Sequence, residues 1–349
     1  MTSLPVRDDR AGLAQPGVLA LLAALACAAA VASLAIGASA LSPGTVLAAL
    51  FGGDVAPRDA AIVLQLRLPR TLLGFGVGAA LAVSGAMMQG LFRNPLADPA
   101  LIGISGGAAL AAVAVIVLGV PAAVAGLAGP FALPAAAFAG SLLTILAVQR
   151  VARGDGRTDI ATLLLAGIAV NAIASAGTGY LVFGSDDRQM RDITFWTMGS
   201  LGGAAWPVVL ALAPFALGAV LAAGRWAGVL DALLLGEREA ALMGFRVEPA
   251  KTGIVIVCAA AVGASVAVAG VIGFVGLVVP HLVRLVAGAG HRLLLTASAL
   301  LGGTLVLFAD IVARTVMAPA ELPIGLVTAL IGGPFFLWLL IRRRRETLS

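Results

Sequence analysis

Ten apolar runs, each about as long as a bilayer crossing, leave this chain few folds to choose from. They fall near residues 18–40, 71–92, 100–118, 130–150, 160–183, 206–224, 252–271, 273–289, 293–313 and 323–341. A helix needs roughly 20 predominantly apolar residues to cross the hydrocarbon core. Charged residues make up only 11% of the 349 and hydrophobic ones 61%, where a soluble domain is about one quarter charged. The runs also lack the short alternating segments of a transmembrane barrel. The expected fold class is therefore all-α, a polytopic membrane protein of about ten transmembrane helices. The 44 glycines and an Ala-dominated apolar set predict helices that approach closely, because lipid provides no hydrophobic drive for their association.

The first run follows Arg-Asp-Asp-Arg and ends in Ala-Ser-Ala, which looks superficially like a signal peptide; it is longer than a signal h-region and is expected to be a retained first helix. Cys27 and Cys258 each lie inside an apolar run and are expected to be buried packing residues rather than a disulfide. With the N-terminus inside, Arg93, Arg150, Arg153, Arg157, the segment Arg225 to Lys251, Arg292 and Arg342 to Arg345 all fall in the cytoplasm. The opposite side receives only Arg58, Arg67, Arg70, Arg188, Arg191 and Arg314. This asymmetry satisfies the positive-inside rule and predicts an inner-membrane protein with both termini cytoplasmic. The whole chain, 1–349, is read as one transmembrane domain, with a first half near 18–183, a second half near 206–341 and a polar cytoplasmic segment at 227–252.

An internal echo suggests that the halves are related. VGAALAVSG (Val77 to Gly85) and VGASVAVAG (Val262 to Gly270) agree at six of nine positions, and Pro95 and Pro280 follow at the same offset of 185. If the second and seventh spans correspond, the halves are inverted in topology, an arrangement that transporters combine with broken helices. Asn94, Pro95, Asp98 and Pro99 then form a structural bend in which prolines stop one helix so that a shorter one can begin. The depth of Pro280, His281 and Arg284 is ambiguous: inverted symmetry draws them outward and the Arg284 charge draws them inward.

The residues speak against an autonomous enzyme. No stretch fits G-x-x-x-x-G-K-[ST], and the single lysine, Lys251, follows no glycine-rich loop. No catalytic constellation is evident in the spans, so no catalytic residue and no resident metal site are assigned, and no permanently bound cofactor or nucleic-acid partner is expected. A proton-coupled carrier would bury several ionisable groups; here Asp310 and Glu321 fall at span edges and His281 with Arg284 is the one deep candidate pair. Met87, Met88 and His281 could ligate haem iron, but methionine more often fills gaps between helices. The longest polar block, Ala227 to Thr252, alternates leucine and alanine with Gly236, Glu237, Arg238, Glu239 and Gly244. It predicts short amphipathic helices joined at glycines, either a knob for a cytoplasmic partner or a loop that covers the bundle.

Beyond these physical readings, RLPR (Arg67 to Arg70), SGAMMQGLFRNPLADPALIGISGGA (Ser84 to Ala108), LGEREAALMG (Leu235 to Gly244), GFVGLVVPHLVRL (Gly273 to Leu285) and the segment Asp310 to Leu340 resemble the FecCD-type permeases of binding-protein-dependent ABC importers for iron chelates, haem and vitamin B12. The resemblance implies a type II importer permease with an inverted half-repeat. It also implies a homodimer, two cytoplasmic ATPase subunits that use ATP, and a periplasmic binding protein. Leu235, Gly236, Glu237, Glu239, Ala240, Leu242 and Gly244 match the ATPase-coupling helices. Arg67, Arg70 and Arg314 match arginines that meet glutamates on the binding protein, a task suited to a planar guanidinium fork; the alternative is that they anchor span ends. Thr158, Ile160, Ala161 and Thr162 match a cytoplasmic gate. Asn171, Ser175 and Thr178 match a pathway-lining helix, although such groups also bond neighbouring helices. The wording of residues 90–103 and of Phe195 to Gly203 is nearest to the haem importers, so the resemblance implies haem as transported substrate, with a ferric siderophore or cobalamin as alternatives.

Overall fold

A computed structural model describes residues 15–37, 41–120, 129–154, 157–288 and 290–348. Among them, seven helices are long and apolar enough to cross a membrane, and three shorter apolar helices bring the set to the ten expected. In chain order the helices are α1 (Gln15–Ala35), α2 (Pro43–Phe51), α3 (Pro57–Leu91), α4 (Ile104–Leu118), α5 (Ala132–Ala152), α6 (Ile160–Phe183) and α7 (Asp187–Met198). There follow α8 (Trp206–Leu233), α9 (Glu237–Leu242), α10 (Val247–Ala269), α11 (Val275–Ala287), α12 (His291–Thr315) and α13 (Ile324–Leu348). Two two-residue strands, β1 (Arg153–Gly154) and β2 (Arg157–Thr158), pair antiparallel between α5 and α6.

α3 is the axis of the bundle. Its most apolar stretch is 83% buried, against 28% for α1 and 17% for α6, so α3 contacts protein on all sides while α1 and α6 are peripheral. Glycine makes this possible. A Cβ at Gly85 would collide with the carbonyl of Gly276 in the first turn of α11, and one at Gly78 with the backbone of Gly302 on α12. Such contacts bring backbones closer than any larger residue permits.

α3 begins at Pro57, well before the expected start near 71. Pro69 has no N–H to give, and the chain meets this with a wide π-helical turn over Ile62–Arg67 instead of a break. At the far end α3 stops at Leu91 and the chain turns. Arg93 has a positive φ of 49°, the Asn94 side chain accepts from Leu96 N–H at 3.0 Å, and Asp98 accepts from Ala100 N–H at 2.8 Å to cap a 3-10 turn over Pro99–Ile102.

Several expectations need correction. The last span-end of the polar block moves: α8 runs on to Leu233 and α10 starts at Val247, so half of 227–252 belongs to the ends of these two helices, and the second amphipathic helix is the first turn of α10. Cys258 is buried, but Cys27 is exposed, because α1 lies at the periphery. The echo copies sit differently, since Pro95 lies in the bend and Pro280 inside α11. Arg284 lies at the bend end of α3, where its guanidinium donates to the Gln89 side chain, and Gln89 in turn donates to the Gly276 carbonyl at 3.1 Å. Met87 and Met88 are wholly buried core residues, and His281 packs edge-on against Phe335.

Gly85→Leu should cost about 3 kcal/mol or more, because a backbone carbonyl cannot give way as a side chain does. Gly218→Leu, on α8 where a Cβ meets open space, should leave stability unchanged or slightly raised. Thermal denaturation of the two detergent-solubilised variants, followed by size-exclusion, separates them.

Candidate functional site

The two ends of the bundle differ in chemistry. At one end the π-helical start of α3, the end of α12 and the loop before α13 bring four charged side chains around a depression of about 430 Å³ lined by Arg67, Arg70, Arg314 and Glu321. Arg70 engages two carboxylates at once: Nη2 lies 2.8 Å from Asp310 Oδ1 and Nη1 lies 2.8 Å from Glu321 Oε1. Asp310 is 1% exposed. A carboxylate at such depth must be compensated, since an unpaired buried charge is costly, and Arg70 and Arg314, 3.4 Å away, do this. Arg314 also donates to the Ser33 carbonyl at 2.7 Å.

Arg67 differs from the expectation. It is 6% exposed and donates to the carbonyls of Leu34 and Ala35 at 2.7 and 2.8 Å. The last carbonyls of α1 lack partners within their own helix, and Arg67 fills that need. It therefore faces the bundle, and of the three arginines matched to docking only Arg70 keeps appreciable exposure, at 15%. The nearby Trp206 donates its indole N–H to Leu64 O at 3.1 Å and ties α8 to the same turn.

The opposite end carries the polar block. After α8, Gly236 adopts φ 136°, which only glycine takes without strain, and Gly244 adopts φ 88°. Between them α9 stands as a knob of six residues. Leu235, Leu242 and Met243 are exposed, Leu242 by 80%. Glu239 is exposed as well, and Glu237 partly so. Ala240 and Gly236 are buried, which corrects their assignment as surface contacts: Ala240 seats the knob on the bundle, since α9 can point outward only by turning its smallest residue inward.

Behind the knob lies a residue for which the sequence suggested no role. Lys251, on α10, is 2% exposed. Its ammonium donates to the Thr158 carbonyl at 2.7 Å and to the Glu237 carboxylate at 3.0 Å, and pairs with Glu248 at 2.8 Å. Glu248 accepts the Thr158 N–H at 2.9 Å. A lone lysine three residues after a glutamate, in so apolar a chain, was the available signal. Asp231 and His291 form a second missed pair, at 2.6 Å between α8 and α12.

The residues matched to a gate and a pathway separate. Thr158 is buried in β2, and Asp159 caps α6 by accepting the Thr162 N–H at 2.8 Å. The Thr162 hydroxyl, which donates to the same oxygen, and then this N–H hold the Asp159 carboxyl below its usual range. Ile160 and Thr162 are half-buried, Ala161 and Ser175 exposed, and Thr178 half-buried. Asn171 instead donates to Ala100 O at 3.0 Å, tying α6 to the bend; this favours the helix-bonding alternative for that residue.

A bundle of ten apolar helices, broken by glycine and proline turns, with a charged depression at one end and an apolar knob at the other, defines a polytopic α-helical membrane transport protein. The chain belongs to the FecCD transport family, whose model matches residues 24–342. It is 48% identical to the hemin transport system permease protein HmuU of Yersinia pestis, covering 82% of this chain and 84% of that one. It is 47% identical to the cobalamin import system permease protein BtuC of Halobacterium salinarum, covering 82% and 74%. An inward-facing structure described as a metal-chelate type ABC transporter superposes with a TM-score of 0.83 at 32% identity, covering 94% of this chain and 99% of that one.

Glu321 lies in the loop before α13, and the bonds from Arg70 hold its carboxyl below the ordinary 4.5. A depressed carboxylate stabilises the folded form at pH values above its unfolded value, and that contribution fades as the pH falls through the folded one. The loop 316–323 should therefore become protease-sensitive as the pH drops below about 4.5, and Glu321→Gln should show the same sensitivity already at neutral pH.

Proposed function

We propose that this chain is the membrane permease subunit of an ATP-driven importer of metal chelates, with haem as its cargo. Family membership over residues 24–342 carries the class, and the exposed apolar knob seated on Ala240 supports a non-covalent partner at that end. In this reading Leu235, Glu237, Glu239, Leu242 and Gly244 meet a separate ATPase subunit, which alone hydrolyses ATP. The knob end faces the cytoplasm, because Arg93, Arg153, Arg157, Arg238 and Arg246 gather there. Both termini follow: α1 ends beside Arg67 and so begins at the knob end, and α13 starts beside Gly199 and runs back toward it.

The depression around Arg70, Arg314 and Glu321 serves a periplasmic binding protein. Docking exchanges Glu321 on Arg70 for a partner carboxylate, since the guanidinium fork can hold either. A second copy of the chain packs along α6, whose exposed Ala169, Ala172, Ala176 and Gly179 recur at helical spacing and allow close approach. The translocation pathway runs beside Ser175 and Thr178, with Thr158 to Thr162 as its inner gate. The whole chain acts as one transmembrane domain, the halves 18–183 and 206–341 joined by a coupling segment within 227–252.

Haem is supported by an apolar cavity of about 570 Å³ lined by Phe131, Phe195, Trp196 and Val208, a size usual for small-molecule sites. Its aromatic faces suit a planar macrocycle. ATP binding draws the ATPase subunits together, the knobs move with them, and access alternates between the two sides.

The test is uptake into proteoliposomes holding the permease, its ATPase and its binding protein, with haem, a ferric siderophore and cobalamin offered separately. Haem accumulation that needs all three proteins is expected. Uptake of only another chelate removes the cargo assignment, and accumulation by the permease alone under an ion gradient removes the class. Leu242→Asp should abolish co-purification of the ATPase while the permease still inserts. Arg70→Glu should weaken capture of the binding protein by about tenfold at low ionic strength; unchanged capture would refute the docking site.

A further inference from the structure

Thr158 is the last residue of β2 and immediately precedes the cap of α6. Both of its backbone polar groups end on side chains of α10: the N–H on Glu248 and the carbonyl on Lys251. The same ammonium reaches across to Glu237, the first residue of the knob helix α9. Three segments, one of them 93 residues away along the chain, therefore meet on one buried cation. We infer that Lys251 is the positioning residue that carries displacement of the knob to the hairpin β1–β2 and so to the first turn of α6.

The chemistry suits that task. An ammonium has three donors and no acceptor, and here they are directed to Thr158, Glu237 and Glu248. Because the group is 2% exposed, water does not compete for these bonds, and losing any one of them leaves a charge or a carbonyl unpaired. The knob and the hairpin strand are thus held in a fixed relation while either moves. The carboxylate of Glu237 is 39% exposed, so it can follow an outside partner while still held from behind. An apolar contact at this place would permit sliding; a charged three-way junction favours one arrangement at a time.

The proposal rests on the reading of α9 as the ATPase contact, and the experiment separates the two. Lys251→Met, Lys251→Arg and the double variant Lys251→Met/Glu248→Gln are reconstituted with the ATPase and binding protein beside Leu242→Asp. In a Cys27→Ser background, spin labels at Ala241→Cys and Arg157→Cys report the distance from knob to hairpin with and without ATP. The double variant removes the Glu248 charge together with the ammonium and leaves only the Glu237 carboxylate, whose side chain is 39% exposed, so it tests the inference even if Lys251→Met does not fold.

The expected result is that the double variant still assembles with the ATPase and hydrolyses ATP, yet transports about tenfold less cargo per ATP, in the usual range of a coupling loss. Its labels should change separation on ATP binding where those of the parent keep theirs, and Lys251→Arg should restore part of the yield. Wild-type transport per ATP in the double variant, with the label separation unchanged, overturns the inference; if Leu242→Asp meanwhile loses the ATPase, the knob reading stands. Should Leu242→Asp keep both ATPase and uptake, the knob reading falls and this inference with it.

Discussion

Everything in this bundle depends on how closely α3 lets its neighbours approach. Lipid gives helices no hydrophobic reason to associate, so packing and hydrogen bonding must hold them. At Gly85 and Gly78 the absence of a side chain lets backbone touch backbone from α11 and α12. With that axis fixed, α11 can be short, because its ends are supported by protein rather than by the full thickness of a membrane. The loop between α10 and α11, with Phe274 at φ 67°, is tolerable for the same reason: irregular backbone survives at depth only where protein satisfies it.

The charged residues follow a complementary logic. Asp310 is buried in a helix long enough to span, and its cost is met by two arginines contributed by α3 and by its own helix one turn on. Lys251 is buried likewise and is met by two glutamates and a carbonyl. One such node sits at each end, and each ties together segments that the chain order keeps apart. Where the chain uses a charge inside the bundle, it uses it as a junction.

The ten apolar runs were legible because hydropathy reports what a bilayer requires, and all ten reappear as helices. Their limits were less so: the run over 206–224 continues to Leu233, since burial against neighbouring helices extends a helix that polarity would otherwise end. The bend at Asn94 to Pro99 was readable from proline and side-chain capping, which act locally. The roles of Arg67 and Lys251 were not, because each is decided by a partner distant in sequence: a carbonyl on α1 for the first, a strand before α6 for the second. Likewise the burial of Ala240 depends on which face of a six-residue helix meets the bundle, and so short a helix gives too little periodicity to tell. The π-helical turn left no mark that hydropathy could register.

That turn over Ile62–Arg67 has a consequence for how the chain can vary in length. It holds an extra residue within one coil, and each residue of a regular helix advances the azimuth by about 100°. Removing a residue there would relax the coil to ordinary geometry and leave Pro69 onward in place. Everything from Pro57 to Leu64 would then swing around the axis, taking Val63 out of its nest with Leu34 and Val46 and withdrawing the Leu64 carbonyl from Trp206. The segment thus acts as a phase-setting shim: the helix tolerates the surplus residue, and the packing of its outer third is indexed to it.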